Sequence, residues 1–479
     1  MELLRICERS EVAEHKSLQS CWVIIDQIVY DLTSFVEFHP GGSKIILQYG
    51  GRDATQAFKG IHSSDTLQKY MKIDDIVGKV DTPAPIPKMS VKTPDTKESN
   101  GEVSSPSPTP KLRLRSILNM SDFEVAASQR LSPKAFAFFK AGAEDEKTEQ
   151  WNRNSWQLAR FRPRILRPVE SVDLSTTILG TELSVPFFIG PAGGGKLAHP
   201  AGEVLMTKAA AKNGVLHWVC NMAGCTQEEM ANARAPNQTT YWQIYAKANL
   251  EVTEKEIKRA VELGYKGFAL TVDAIRAGKR ERDLRMEAAE YEALHSDEPE
   301  DEDDDTTTTG GISAQRGAVV SSFDWDSAIT WLRGLTDLPI AIKGIQCWED
   351  AALCMKYGVH PWISNHGGRQ LEGAPSAIET LIEIRQNAPE VFDKCEVIVD
   401  GGIMRGSDVV KAIAIGAKGV AIGRAFLYAL AFGETGVSKA IQILRAEMET
   451  TMALLGVTRI EDLNPSYVAI RDSAVRSRL

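Results

Sequence analysis

The sequence predicts a multi-domain chain in which a small α+β module is followed by a tether and then by a (β/α)8 TIM barrel. Three observations lead there. Short alternating apolar runs fill residues 1–80, a Pro, Ser and Thr-rich stretch with few apolar residues occupies 81–110, and within 111–479 strand-then-helix units recur after about residue 180. A length of 479 residues leaves room for two or three such cores.

In the first module, Trp22-Val23-Ile24-Ile25 and Ile28-Val29-Tyr30-Asp31-Leu32 read as strands joined at Asp26-Gln27 by a hairpin turn. The segment that follows carries Pro83, Pro85, Pro87, Pro94, Pro106, Pro108 and Pro110 and reads as a mobile, fairly extended linker. The barrel strands are expected at Pro186–Gly190, Val215–Asn221, Thr239–Ala246, Gly267–Ala274, Pro339–Ile345, Pro361–Gly367, Glu396–Ile403 and Gly419–Phe426. Helix-compatible segments such as Glu203–Asn213 and Ser407–Gly416 lie between them; a doubly wound open sheet is the alternative arrangement. An acidic run, Asp297 to Asp305, interrupts the barrel between strands four and five and reads as a solvated loop, or as a lid or a docking surface for a basic partner.

The formal net charge of -9 argues against nucleic acid or an anionic membrane surface as partner, and no stretch has the length of a membrane span. Seven cysteines without a C-x-x-C pair fit a reducing compartment and argue against a disulfide framework or a structural zinc. Neither a signal peptide nor a transit peptide is visible at the amino terminus. Ser477-Arg478-Leu479 is a conservative variant of the Ser-Lys-Leu peroxisomal address, with the mitochondrial intermembrane space or cytoplasm as alternatives.

The chemistry concentrates in Ile363-Ser364-Asn365-His366-Gly367-Gly368-Arg369-Gln370. Histidine titrates near neutral pH, and the arginine three residues on offers a rigid fork for a carboxylate. In a barrel, functional groups gather at the carboxyl ends of the strands. Strand three delivers Gln243 and Tyr245, strand four Thr271 and Asp273, strand five Lys343, strand six His366 and Arg369, strand seven Asp400-Gly401-Gly402, and strand eight Gly423-Arg424. Polar groups from six strands on one rim predict an active site. In the first module, Phe38-His39-Pro40-Gly41-Gly42 and Ile61-His62-Ser63 place two histidines where they could clamp one haem iron from both sides.

With the Val29–Phe35 run and Gly51-Arg52-Asp53-Ala54-Thr55, those histidine motifs resemble the cytochrome b5 family over residues 8–80, which implies His39 and His62 as axial ligands of haem b. Leu338–Gly344, Ser364–Gln370, Val399–Gly402 and Ile422–Arg424 resemble the FMN-dependent 2-hydroxy acid dehydrogenase and oxidase family from Leu118 to Glu461. The fusion is similar to the layout of the flavocytochrome b2 family. The resemblance implies His366 as the base, Asp273 as its orienting carboxylate, Arg369 on the substrate carboxylate, Tyr245 near the reacting hydroxyl and Lys343 beside the flavin. It implies Ala192, Gly193, Cys220, Gln243 and Thr271 at the flavin ring, Asp400, Gly401 and Gly402 on the ribityl-phosphate arm, and Arg405, Gly423 and Arg424 at the phosphate.

Four positions depart from the family pattern. Phe138-Phe139 stand where two tyrosines are usual, Cys220 where a serine is usual and Met404 where an arginine is usual, and Pro191-Ala192-Gly193-Gly194-Gly195 replaces bulkier residues over the flavin. The wider, more apolar site predicts a larger or less acidic substrate than lactate. The expected activity is oxidation of a 2-hydroxy acid, with electrons passing from FMN through haem to an acceptor such as cytochrome c. Alternatives are an oxidase that reduces O2 to hydrogen peroxide and a haem electron carrier with an inactive barrel. The resemblance also implies a homotetramer.

Overall fold

The computed structural model describes residues 4–39, 43–80, 111–294 and 318–470. The expected linker at 81–110, the acidic run and Ser477–Leu479 lie outside the described residues.

The first module holds a four-stranded antiparallel sheet, β1 (Lys16–Ser17), β2 (Ser20–Ile25), β3 (Ile28–Asp31) and β4 (Ile76–Lys79), paired in that order. Asp26 and Gln27 both have positive φ, 51° and 67°. That is the conformation a two-residue hairpin needs if its twist is to match its strands. Alternation along β2 sends Cys21, Val23 and Ile25 into one apolar cluster with Leu32, Val36 and Ile46, while Ile24 joins Cys7, Val12, Val29 and Val80 on the other face.

Eight parallel strands close the barrel: β5 (Phe187–Ile189), β6 (His217–Cys220), β7 (Thr240–Ile244), β8 (Phe268–Thr271), β9 (Ile340–Ile345), β10 (His360–Ile363), β11 (Ile398–Val399) and β12 (Gly419–Ile422). The closed barrel settles the architecture against an open sheet. Each strand is shorter than its sequence pattern suggested. The expected Gly419–Phe426 strand ends at Ile422, and Arg424–Leu430 is a helix. Parallel strands buried on both faces carry continuous apolar runs, so the pattern marks a strand's position better than its end.

Inside the barrel, residues two apart on one strand share a face. Trp218 of β6 meets Trp362 of β10, on the opposite wall, with ring centroids 4.8 Å apart, and Phe188 of β5 lies 5.5 Å from Trp362. These rings fill the interior. Two residues further along, the same faces present Gly190, Cys220 and Ser364 to the rim above them. Two helices before the barrel, Pro133–Lys140 and Lys147–Asn154, add part of the wall there, with Phe138 and Arg153 lining the rim cavity.

The haem-type module rests on this carboxyl-end rim. Gly60 lies close to Leu197, a Cβ at Gly60 coming within 3.7 Å of Leu197 Cδ2. The Tyr49 hydroxyl donates to Glu290 at 3.1 Å, and Lys247 Nζ to the Tyr70 hydroxyl at 3.0 Å.

Candidate active site and haem site

At the end of β10 the backbone turns sharply. His366, Gly367 and Gly368 all have positive φ, 58°, 67° and 75°. A histidine held there is strained, and such strain persists only where the surroundings over-determine it. The His366 amide donates to Ser364 Oγ at 3.0 Å, and the Gly368 amide donates to both oxygens of Asn365. Asn365 and Asn152 in turn exchange side-chain hydrogen bonds of 2.7 and 3.0 Å, locking the turn to the Lys147–Asn154 helix.

His366 Nδ1 lies 2.9 Å from Asp273 Oδ1. A carboxylate there fixes the tautomer, so Nδ1 carries the proton and Nε2 is the basic nitrogen. Nε2 points toward the Tyr245 hydroxyl, 3.5 Å away. Burial lowers the His366 pKa below the ordinary histidine value, against the pull of Asp273. Burial would raise Asp273, but the charges of His366 and Lys343 outweigh it and hold the carboxyl below its ordinary range. At neutral pH the pair is therefore a neutral imidazole on a carboxylate. A bulge in β9 at Gly344 makes the approach possible, because a Cβ there would lie 2.7 Å from Asp273 Cβ and Gly344 has φ 119°.

Lys343 Nζ is buried, donates to Ser364 Oγ at 2.8 Å and lies 3.3 Å from Asp400 Oδ2. Ser364 Oγ donates to Asp400 Oδ1 at 2.7 Å, and Trp362 Nε1 donates to Oδ2 at 2.9 Å. Burial works to lower Lys343, but Asp400 and Asp273 keep it above the ordinary lysine value, so it is a fixed cation.

Arg369 lines the same cavity and donates through Nη1 to the carbonyls of Phe138 and Ala141, at 2.9 and 2.6 Å. Burial, reinforced by Arg424, lowers its pKa to about 10, and it stays charged at neutral pH. Arg424 donates to the Gly367 carbonyl at 2.6 Å and pairs with Glu149 at 3.3 Å. Gln243 Nε2 donates to Thr271 Oγ1 at 2.9 Å, and Cys220 Sγ accepts from the Met222 amide at 3.3 Å.

One cavity is lined by Ala192, Gly193, Cys220, Gln243, Tyr245, Thr271, Lys343, His366, Arg369, Asp400, Gly401, Gly402, Gly423 and Arg424. Asp273 stands just behind His366. Arg405 is the exception and corrects the expectation for that residue. Its guanidinium is half exposed and pairs with Glu447 at 2.7 Å, because Arg405 is the N-cap of the Gly406–Ile415 helix and reaches the neighbouring Gly433–Leu455 helix. Sequence reasoning missed Arg280, whose buried guanidinium lines the cavity and donates to the Arg369 carbonyl and to Gln370 Oε1. The available signal was an arginine seven residues after Asp273, on the same rim but beyond any strand.

The residues fit FMN. A flat ring needs a smooth backbone wall and hydrogen-bonding groups, and Ala192-Gly193 line one cavity together with Gln243, Thr271, Lys343, Gly401, Gly402 and Arg424. The first module fits haem. His39 and His62 have ring centroids 6.2 Å apart, a span that seats one metal with imidazole bonds of about 2 Å on each side. A cavity of about 790 Å3, lined by Val23, Leu32, Phe35 and Phe58, surrounds them. Burial and the neighbouring His39 lower His62 to about 4, leaving it neutral and able to ligate.

Residues 127–470 match the FMN-dependent dehydrogenase family, and residues 8–81 match the cytochrome b5-like haem/steroid-binding domain. The chain belongs to the FMN-dependent dehydrogenase family. This FMN-dependent dehydrogenase is 38% identical over 466 residues to the L-lactate dehydrogenase (cytochrome) of Wickerhamomyces anomalus, covering 96% of this chain and 79% of that one. It is 40% identical over 371 residues to a peroxisomal (S)-2-hydroxyacid oxidase of Arabidopsis thaliana, covering 76% and 99%. A flavocytochrome b2 variant solved with benzoylformate superposes with a TM-score of 0.68 at 36% identity, covering 77% of this chain and 89% of that one. The protein is an FMN-dependent 2-hydroxy acid dehydrogenase with an amino-terminal haem domain, and its cofactors are FMN and haem b.

Proposed function

We propose that the substrate is a 2-hydroxy acid with a bulky apolar side chain, and that its electrons pass from FMN through haem to a one-electron acceptor such as cytochrome c. One observation carries the substrate reading. The Phe138 ring lines the cavity and is seated against Gly194, where a Cβ would lie 3.0 Å from Phe138 Cε1, so an apolar ring edge stands where the family's usual tyrosine would bring a hydroxyl. Leu197 and Met222 continue that wall.

When bound, FMN accepts the two electrons the hydroxy acid loses. His366 Nε2 takes up the substrate proton, and Asp273 stabilises the imidazolium that results. Arg369 and Arg280 hold the substrate carboxylate, and Tyr245 orients the hydroxyl toward Nε2. Lys343, held by Asp400 and Ser364, supplies fixed positive charge where negative charge develops, without reorganisation during the reaction. Gln243, Thr271 and Cys220 would border the flavin ring, Asp400, Gly401 and Gly402 would hold the ribityl arm, and Gly423 and Arg424 would hold the phosphate. His39 and His62 would hold a haem iron between their imidazoles, and with no open position left such a group would supply electron transfer.

In this reading residues 1–80 form the haem domain, 81–110 the tether and 111–479 the dehydrogenase domain, assembled as a homotetramer. The exposed Ile165 and Leu166 offer apolar surface for assembly. The test is anaerobic flavin bleaching with 2-hydroxy acids of graded size. Aryl or long-chain acids are expected to exceed glycolate at least tenfold in kcat/KM, the scale of about one to two buried methylenes. A preference for glycolate overturns the substrate reading.

Transfer to oxygen is the second reading, favoured by the similarity to a peroxisomal (S)-2-hydroxyacid oxidase. Stoichiometric hydrogen peroxide during turnover would support it over the haem route.

A further inference from the structure

Among the described residues, Ile61 and Met222 alone border both the flavin-site cavity and the haem cavity. Each is held from its own side. Ile61 ends the Thr55–Ile61 helix and precedes His62 in the chain, while its neighbour Gly60 packs toward Leu197 of the barrel rim. Met222 is pinned from beneath, its amide donating to Cys220 Sγ at 3.3 Å. A Cβ at Gly193 would lie 2.5 Å from the Met222 carbonyl and 3.1 Å from its Cβ, so the missing side chain lets this segment settle toward the flavin wall. Gly193 and Cys220, both departures from the family pattern, therefore converge on the placing of Met222.

We propose that Ile61 and Met222 form the bridge across which electrons cross from flavin to haem. The crossing moves no atoms. Each passage takes one electron from the reduced flavin to ferric haem iron, and two passages follow each hydroxy acid oxidised. The two protons leave through His366 and solvent, and an external one-electron acceptor reoxidises the haem between passages. Electrons cross filled space more readily than a void, and truncating a side chain between the two cavities leaves a gap with no partner atoms on one side.

The test uses full-length holoprotein with flavin reduced photochemically, so its outcome does not depend on the substrate reading. In Ile61→Ala, flavin-to-haem transfer is expected to slow about ten- to a hundredfold, the upper figure being what an ångström of misplacement can cost a rate. Photoreduction yield, haem spectrum and haem midpoint potential should remain those of the unaltered protein, and Ile61→Met, which refills the gap, should restore the rate. A change below twofold in Ile61→Ala, or a slowing that Ile61→Met leaves in place, overturns the proposal. If Ile61→Ala sheds haem, Ile61→Val decides instead: twofold or greater slowing supports the bridge, and an unchanged rate overturns it.

Discussion

Replacing Asp273 by asparagine keeps the side-chain volume and removes one charge. In the natural chain that charge stands 2.9 Å from His366 Nδ1, and the Asp273 side chain is inaccessible to solvent. At an effective dielectric of about 20, unit charges at that separation attract by about 5 to 6 kcal/mol once the imidazole is protonated. The amide retains a neutral hydrogen bond of about 1 kcal/mol. The imidazolium formed during proton uptake therefore loses about 4 kcal/mol, which slows that step by about 10³-fold. Because Asp273 stands behind His366, substrate affinity should hardly move. The assay is anaerobic stopped-flow flavin bleaching, with the haem spectrum as a check that the fold persists. A fall of less than tenfold, or a loss residing in substrate affinity alone, refutes the role assigned to the pair.

Phe138→Tyr returns a hydroxyl to the substrate pocket and should raise kcat/KM for lactate-sized acids, with one hydrogen bond to a carboxylate setting a ceiling of about 1.5–3 kcal/mol; steady-state comparison with an aryl acid checks that the small acid gains more. Arg424→Ala should weaken FMN binding by at least tenfold, the lower end for a charged hydrogen bond, whereas Arg405→Ala, altering a surface pair with Glu447, should leave it nearly unchanged; flavin-fluorescence titration of apoprotein distinguishes them. His366 is held below the ordinary histidine value of 6.5, so flavin reduction should be level above pH 7 and lose rate only below 6.5, which a pH series of bleaching rates measures. His62 is held neutral down to about pH 4, so its own protonation should begin to detach haem only near that pH, which loss of the haem absorbance band would report. Because both histidines take protons more readily when unfolded, they contribute stability above pH 6.5 that declines as the pH falls below it.

The hairpin at Asp26-Gln27 and all eight barrel strands were legible because their signals are local: a two-residue turn between apolar runs, and continuous apolar segments spaced by helices. Strand ends were less so. His366, Asp273 and Asp400 lie beyond their strands, in turns whose shape depends on partners elsewhere in the chain, such as Asn152 for the His366 turn, and Arg424 opens the helix that follows its strand. Arg405 and Arg424 are alike as residue types and are separated only by which way a helix start faces. Arg280 and the shared position of Ile61 and Met222 depend on contacts between distant segments, which no sequence period announces.

The central claim is that one hydroxy acid feeds flavin and haem in series. Its most direct test is an anaerobic titration of purified holoprotein with graded 2-hydroxy acids, reading flavin and haem absorbance in the same sample. Flavin bleaching followed by haem reduction, with a larger apolar acid most efficient, is the predicted result. A flavin that bleaches while the haem stays oxidised would contradict it.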